Sequence, residues 1–267
     1  MKQLRLILAI YFILLFFTTC KKVPYTNRSQ LTLLPESIIV EMGLTNYNEF
    51  IKSNKLSADE KNVQMIKKVG QKISAAAEEF MRKNNMAADI KNYKWEFNLV
   101  ESEQVNAWCM PGGKIVFYTG ILPYTLNESG VAVVMGHEIA HAIARHGNER
   151  MSQQLMVAMG GMALAIALKE KPEETRNLFL AAYGAGATIG VILPYSRKHE
   201  YEADKIGMVL MAMAGYDPNE AVKFWQRMAS SNKTKTPEFL STHPADENRI
   251  KELQKFLPEA MKYYKNY

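Results

Sequence analysis

The chain has 267 residues, 48% hydrophobic and 22% charged, which excludes intrinsic disorder as the dominant state and allows one large domain or two small ones. Two cysteines are too few for a disulfide scaffold or a thiolate zinc cage. With 33 basic against 27 acidic residues the net charge is +6, and the two signs are interspersed, so no concentrated basic face for nucleic acid is visible.

Lys2 and Arg5 precede twelve unbroken apolar residues, Leu6 to Phe17, and then Thr18, Thr19 and Cys20. A charged start, an apolar run of this length and small residues after it have the form of a secretory signal peptide over residues 1–19. A membrane span needs roughly 20 apolar residues, more than this run supplies. A run that ends on cysteine resembles a bacterial lipoprotein signal. That resemblance implies lipid on Cys20, the membrane surface as a partner, and a lipid-anchored place in the bacterial cell envelope facing the periplasm. Simple secretion or an uncleaved anchor is the alternative. Residues 20–34 then read as a polar, extended tether, 35–257 as the folded domain and 258–267 as a C-terminal tail.

Ser57-Ala58-Asp59-Glu60 has the form of a capping box, and Val63, Ile66, Val69, Ile73 and Ala77 recur behind it at helical spacing, so a long amphipathic helix is predicted to about Lys83. Tyr93, Trp95, Phe97 and Leu99 alternate with polar residues as in a half-buried strand. Val105 to Met110 and Lys114 to Tyr118 flank Pro111-Gly112-Gly113 and predict a hairpin. From Asn127 onward the pattern is helical to the end. The outline is α+β: a helix, a small antiparallel sheet, then a helical majority. Two apolar stretches, Leu155 to Leu168 and Asn177 to Ser196, flank a charged turn. They read as a buried helical hairpin, or alternatively as a segment that enters a membrane.

His137-Glu138-Ile139-Ala140-His141 is an H-E-x-x-H sequence in an apolar helical pattern. Residues four apart share a helix face, so both imidazoles can converge on one metal ion, with Glu138 close enough to act on a water beside it. A catalytic zinc site wants three protein ligands and an open position. The spacing for a third histidine fails, because Ala144 and Gly147 occupy the positions where glycine and histidine would be needed. Glu200 is the better third ligand: Asp204 shares its helix face and can accept the other ring N–H of a ligand histidine.

The segment Gly136 to Gly147 around this motif, followed by Glu200-x-x-Ala203-Asp204, resembles the HtpX/BepA/CaaX-prenyl-protease family of zinc metallopeptidases. So do Asn106-Ala107-Trp108-Cys109-Met110-Pro111-Gly112-Gly113, Arg28-Ser29-Gln30-Leu31, and Ser241-Thr242-His243-Pro244 with Arg249 beyond it. The envelope lipoprotein members are the most similar. The resemblance implies a zincin-like α+β domain with one Zn2+ per chain on His137, His141 and Glu200, and Glu138 as the base toward attacking water. It implies Asn106 and Ala107 on the strand that holds the substrate backbone, and His243 and Arg249 stabilising the oxyanion. A histidine at the place of His243 can also cap the metal and hold such an enzyme inactive. The implied activity is endopeptidase cleavage of unfolded or misassembled envelope proteins. The alternatives are a chaperone-like assembly factor and a membrane-embedded protease.

Overall fold

The computed structural model describes residues 20–188, 193–230 and 237–264; the expected leader, residues 1–19, lies outside them. In chain order the elements are strands β1 (Cys20–Lys22) and β2 (Ser29–Leu31), helices α1 (Glu36–Ser53) and α2 (Glu60–Lys83), and strands β3 (Glu96–Val100), β4 (Ala107–Met110) and β5 (Lys114–Tyr118). Helices α3 (Leu122–Thr125), α4 (Glu128–Ile143), α5 (His146–Ala167), α6 (Glu173–Ala187), α7 (Leu193–Met213), α8 (Asn219–Ser230), α9 (Glu238–Thr242) and α10 (Glu247–Ala260) follow. The fold is α+β and mostly helical, with small sheets. Two compact units divide it: Ser37–Arg145 with His199–Tyr267, and Met1–Glu36 with His146–Lys198.

In the first of these units α2 buries Ile66, Val69, Ile73 and Ala77, the stripe read from the sequence. Its cap is Asp59 rather than Ser57: Asp59 Oδ1 accepts the Asn62 backbone N–H at 3.1 Å, while Ser57 Oγ accepts from the Asp59 backbone N–H. Ser57 is held extended, because its backbone N–H donates to the Leu99 carbonyl beside the Leu56–Val100 bridge. Gly70 lets α2 lie directly on β3, since a Cβ there would meet the Phe97 ring at 2.4 Å.

The larger sheet has the order β3-β5-β4. β4 and β5 form the antiparallel hairpin expected around Pro111-Gly112-Gly113, where Gly112 and Gly113 take φ of +89° and +84° that glycine alone adopts without strain. The sheet is mixed, however, not purely antiparallel, because β5 pairs parallel with β3. The chain leaves β3, passes over one strand width to β4, and the tight turn folds β5 back into the gap. That connection leaves β4 with one side unpaired among the described strands.

α4 starts on Asn127, whose side chain accepts from the Ser129 and Gly130 backbone N–H groups. Every residue from Gly130 to Ala140 is buried, so this helix is the centre of the unit. Tyr93 Oη donates to the Ala142 carbonyl near its far end, where Arg145 turns the chain and pairs with Asp89 at 2.7 Å. α10 continues through Pro258 to Ala260, into the stretch from residue 258 expected as a tail.

In the other unit, residues 20–34 are folded rather than a free tether. β1 and β2 pair antiparallel, and Arg28 places two 2.7 Å bonds on the Glu149 carboxylate of α5. Asn148 Nδ2 donates to the Leu34 carbonyl, and Ser152 Oγ accepts from the Leu33 backbone N–H. Tyr183 of α6 lies over Gly160 of α5 and donates to the Val157 carbonyl at 3.0 Å. The pair is not a buried hairpin, since Ile166 is 74% and Leu178 69% exposed. Among the described residues no helix is long and apolar enough to cross a membrane.

Candidate active site

Close packing of α4 against α7 builds the site. Gly136 and Gly207 let the two backbones touch, and this crossing sets His137, Glu138 and His141 of α4 beside Glu200 and Asp204 of α7. His243 follows α9, and Arg249 lies in the first turn of α10, whose cap Asp246 accepts the Arg249 backbone N–H at 2.8 Å.

Four donor atoms converge. His137 Nε2 is 3.1 Å from His141 Nε2 and 3.1 Å from His243 Nδ1. Glu200 Oε2 lies 2.9 Å from His243 Nδ1 and 3.3 Å from His137 Nε2, and its Oε1 3.4 Å from His141 Nε2. Among the described residues these four form the one His/Cys/Asp/Glu group able to hold a metal, with ligand atoms within 4.8 Å of one another. His146 and His199 are outside it.

The chemistry of this donor set fits zinc. Asp204 Oδ1 is 3.0 Å from His137 Nδ1, and a carboxylate can only accept, so Nδ1 carries the proton and Nε2 can turn a lone pair inward. Lone pairs packed against lone pairs repel unless a cation sits among them. Donors on a tetrahedral zinc lie about 3.3 Å apart, given Zn–N bonds of roughly 2.0–2.1 Å. The surroundings also favour positive charge. Burial works against a charged His137, yet the hydrogen bonds to Asp204 and Glu200 prevail and raise its pKa to about 9. Burial likewise opposes charge on Glu200, but His243, Arg249 and His141 hold its carboxyl well below the usual range.

Glu138 is buried, and its Oε1 has no hydrogen-bond partner, although it lies 3.5 Å from His243 Nε2. Burial pushes its carboxyl up, against the pull of His243 and His137. Such an orphan atom is costly unless a water or substrate group meets it. β4 runs alongside. The Asn106 carbonyl accepts the Tyr118 N–H at 3.1 Å, so by antiparallel alternation Ala107 and Cys109 turn their backbone groups to the unpaired edge. The Ala107 N–H is met by Asn106 Oδ1 at 2.9 Å. Burial, and then the Glu138 charge, raise the Cys109 thiol well above its ordinary value.

Arg249, expected at the oxyanion, is turned into the protein and 1% exposed. Its Nε and Nη2 bond Asp204 at 2.7 and 2.8 Å, and its Nη1 meets the Pro244 carbonyl at 3.0 Å and Glu200 Oε2 at 3.1 Å. Trp225, which nothing in the sequence marked, is part of this environment. The Arg249 guanidinium lies 3.5 Å from its ring centroid, Phe239 stacks on it at 5.7 Å, and His137 meets it edge-on at 5.5 Å. An amphipathic helix with one tryptophan gives no local signal for that role.

The family model described as Peptidase family M48 matches residues 66–257. The chain is 37% identical over 173 residues to the mitochondrial metalloendopeptidase OMA1 of Schizosaccharomyces pombe, covering 64% of this chain and 49% of that protein. It is 31% identical over 262 residues to the mitochondrial metalloendopeptidase OMA1 of Saccharomyces cerevisiae, covering 94% of this chain and 73% of that protein. It is 32% identical over 174 residues to the beta-barrel assembly-enhancing protease of Yersinia pestis, covering 62% of this chain and 36% of that protein. The chain thus spans about half the first of these relatives, nearly three quarters of the second and about a third of the third. These relatives correct the expected location: a lipid-anchored place in a bacterial envelope, facing the periplasm, does not stand when the two OMA1 proteins are mitochondrial.

Proposed function

The chain belongs to peptidase family M48, and from that premise we propose that it is a zinc-dependent endopeptidase acting on unfolded or misassembled proteins. The convergence of His137, His141, Glu200 and His243 beside the unpartnered Glu138 oxygen carries this reading. His137 Nε2, His141 Nε2 and Glu200 would hold the metal, and His243 Nδ1 stands at the fourth position. When bound, zinc supplies Lewis acidity that polarises a peptide carbonyl and acidifies water.

The chain's own groups do the rest. Glu138 Oε1 faces the cluster and takes the proton from the attacking water, then returns it to the leaving amine. The unpaired edge of β4 offers the Ala107 and Cys109 carbonyls to an extended substrate, the Cys109 N–H being taken by Glu138, and Asn106, already on the Ala107 N–H, helps hold it. Backbone pairing of this kind grips any extended chain and demands that the substrate be unfolded locally. His243 Nε2 and Nδ1 reach Glu138 and Glu200 together, so this side chain fills the place of the incoming carbonyl in a resting arrangement and swings away to admit substrate. A non-catalytic assembly factor would have no use for a buried Glu138 oxygen left without a partner.

Zinc content and casein cleavage, compared among the parent, Glu138→Gln and Glu200→Ala, test the reading. Glu138→Gln should keep zinc and lose cleavage, and Glu200→Ala should lose both. Full cleavage by Glu138→Gln, or undiminished zinc in Glu200→Ala, would overturn it.

A further inference from the structure

We infer that Arg249 is a positioning residue for the metal cluster, held flat on Trp225, and not a donor to the reacting carbonyl. The inference rests on the zinc reading above. One guanidinium plane touches both carboxylates of a single turn of α7: Asp204 receives Nε at 2.7 Å and Nη2 at 2.8 Å, and Glu200 Oε2 receives Nη1 at 3.1 Å. The same Nη1 meets the Pro244 carbonyl at 3.0 Å, which ties in the residue after His243. All three nitrogens are therefore engaged, and the residue is 1% exposed. A transition-state donor must present an N–H where the oxyanion forms, whereas four of the five guanidinium N–H groups are bonded here and the fifth, on Nη2, lies against the buried His137 ring at 3.5 Å.

Asp204 is the relay. Its Oδ1 is shared between Arg249 Nη2 and His137 Nδ1, so the guanidinium fixes the carboxylate that in turn fixes the imidazole tautomer and ring angle. Glu200 is fixed by the same plane. The ring of Trp225, with its centroid 3.5 Å from the guanidinium carbon, fixes the orientation of that plane. Two neighbouring ligands thus take their aim from one buried arginine. A lysine keeps the charge but has no fork and no flat face, so it cannot bond two carboxylates and stack at once.

The test is Arg249→Lys against the parent full-length chain, with Zn2+ affinity measured by competition against a fluorescent chelator. Folding is checked by near-ultraviolet circular dichroism, and casein cleavage is followed as free Zn2+ is raised. The expected result is Zn2+ binding weakened by about 10- to 100-fold, with kcat returning to within a few-fold of the parent once Zn2+ saturates. Zinc affinity within threefold of the parent, or kcat still down a hundredfold or more at saturating Zn2+, would overturn it in favour of a direct role at the oxyanion. Should Arg249→Lys not fold, Trp225→Leu decides. That variant removes the platform while keeping all four ligand side chains, and should weaken Zn2+ binding at least threefold; unchanged binding there sinks the inference. Tight Zn2+ in a parent that never cleaves casein would sink the peptidase reading alone, because the affinity comparison still reads the positioning role.

Discussion

Gly136, one residue before His137, lies backbone to backbone with Gly207, three residues past Asp204. A Cβ on Gly136 would sit 2.8 Å from the Gly207 carbonyl oxygen, and one on Gly207 would sit 2.9 Å from the His137 backbone nitrogen. The helix that carries the two histidines and the helix that carries the two carboxylates are thus held at their closest approach directly beside the site. Neither glycine has a positive φ, so what they supply is space.

From that contact, Gly136→Ala and Gly207→Ala should each destabilise the fold by about 1–3 kcal/mol, as overpacking does. The sign is diagnostic, because glycine to alanine within a helix ordinarily gains about 1 kcal/mol. Urea unfolding measures the first effect. A Zn2+ titration should show weaker binding as well, since the added methyl pushes His137 away from Glu200.

Metal removal should lower the unfolding temperature of the whole protein. The converging donors come from α4, α7 and the segment after α9, so an ion among them cross-links three parts of the chain. With free Zn2+ at a hundred times its dissociation constant, the added stability is about 2.7 kcal/mol, and a chelator withdraws it. Identical melting with Zn2+ and with chelator would count against a preformed site.

The residues of α4 were readable because helical periodicity and the His137–His141 spacing coincide, and because Asn127 announces the start of the helix. Glu200 and Asp204 were readable as a pair because residues four apart share a face. What the sequence hid are relationships between distant segments. Insertion of β5 between β3 and β4 depends on how the chain crosses over, which alternation cannot specify. Arg249 reads as a charged helix residue of unknown depth until Asp204, Glu200 and Trp225 surround it. Residues 20–34 looked like a tether for a similar reason, since their partners Asn148, Glu149 and Ser152 lie more than a hundred residues away in sequence.

Acid should erode one contribution away from the site. Burial raises the Glu96 carboxyl, but bonds from Tyr47, Lys114 and Asn98 outweigh it and leave the pKa below its ordinary value. A carboxylate depressed on folding contributes stability above its unfolded pKa and loses it as pH falls through the folded value. Side-chain exposure of 48% at Glu96 screens the pair with Lys114, so the contribution is less than about 1 kcal/mol. Glu96→Gln should accordingly be slightly less stable than the parent at pH 7. Its deficit should shrink as the pH drops below about 4, the unperturbed glutamate value being about 4.3. Parallel stability curves for the two proteins across that range would refute the assignment.

Arg28 and Glu149 give the last test, because they tie β2 to α5 within one unit. The Glu149 carboxylate is 1% exposed and takes two 2.7 Å bonds from an arginine whose side chain is 20% exposed. Truncating the arginine leaves a buried carboxylate without its fork, a loss of about 3–5 kcal/mol where a buried pair is broken from one side. Arg28→Ala should therefore release the β1–β2 hairpin, seen as faster amide exchange at Lys21 to Leu31, while the buried amides of α2 and α4 keep their protection. Arg28→Lys should fall between the two, because an ammonium donates to the carboxylate but cannot reproduce the parallel pair of bonds. If the hairpin exchanges no faster in Arg28→Ala, then the backbone bonds of Leu33 and Leu34 to α5 suffice, and the ion pair is incidental to holding this segment.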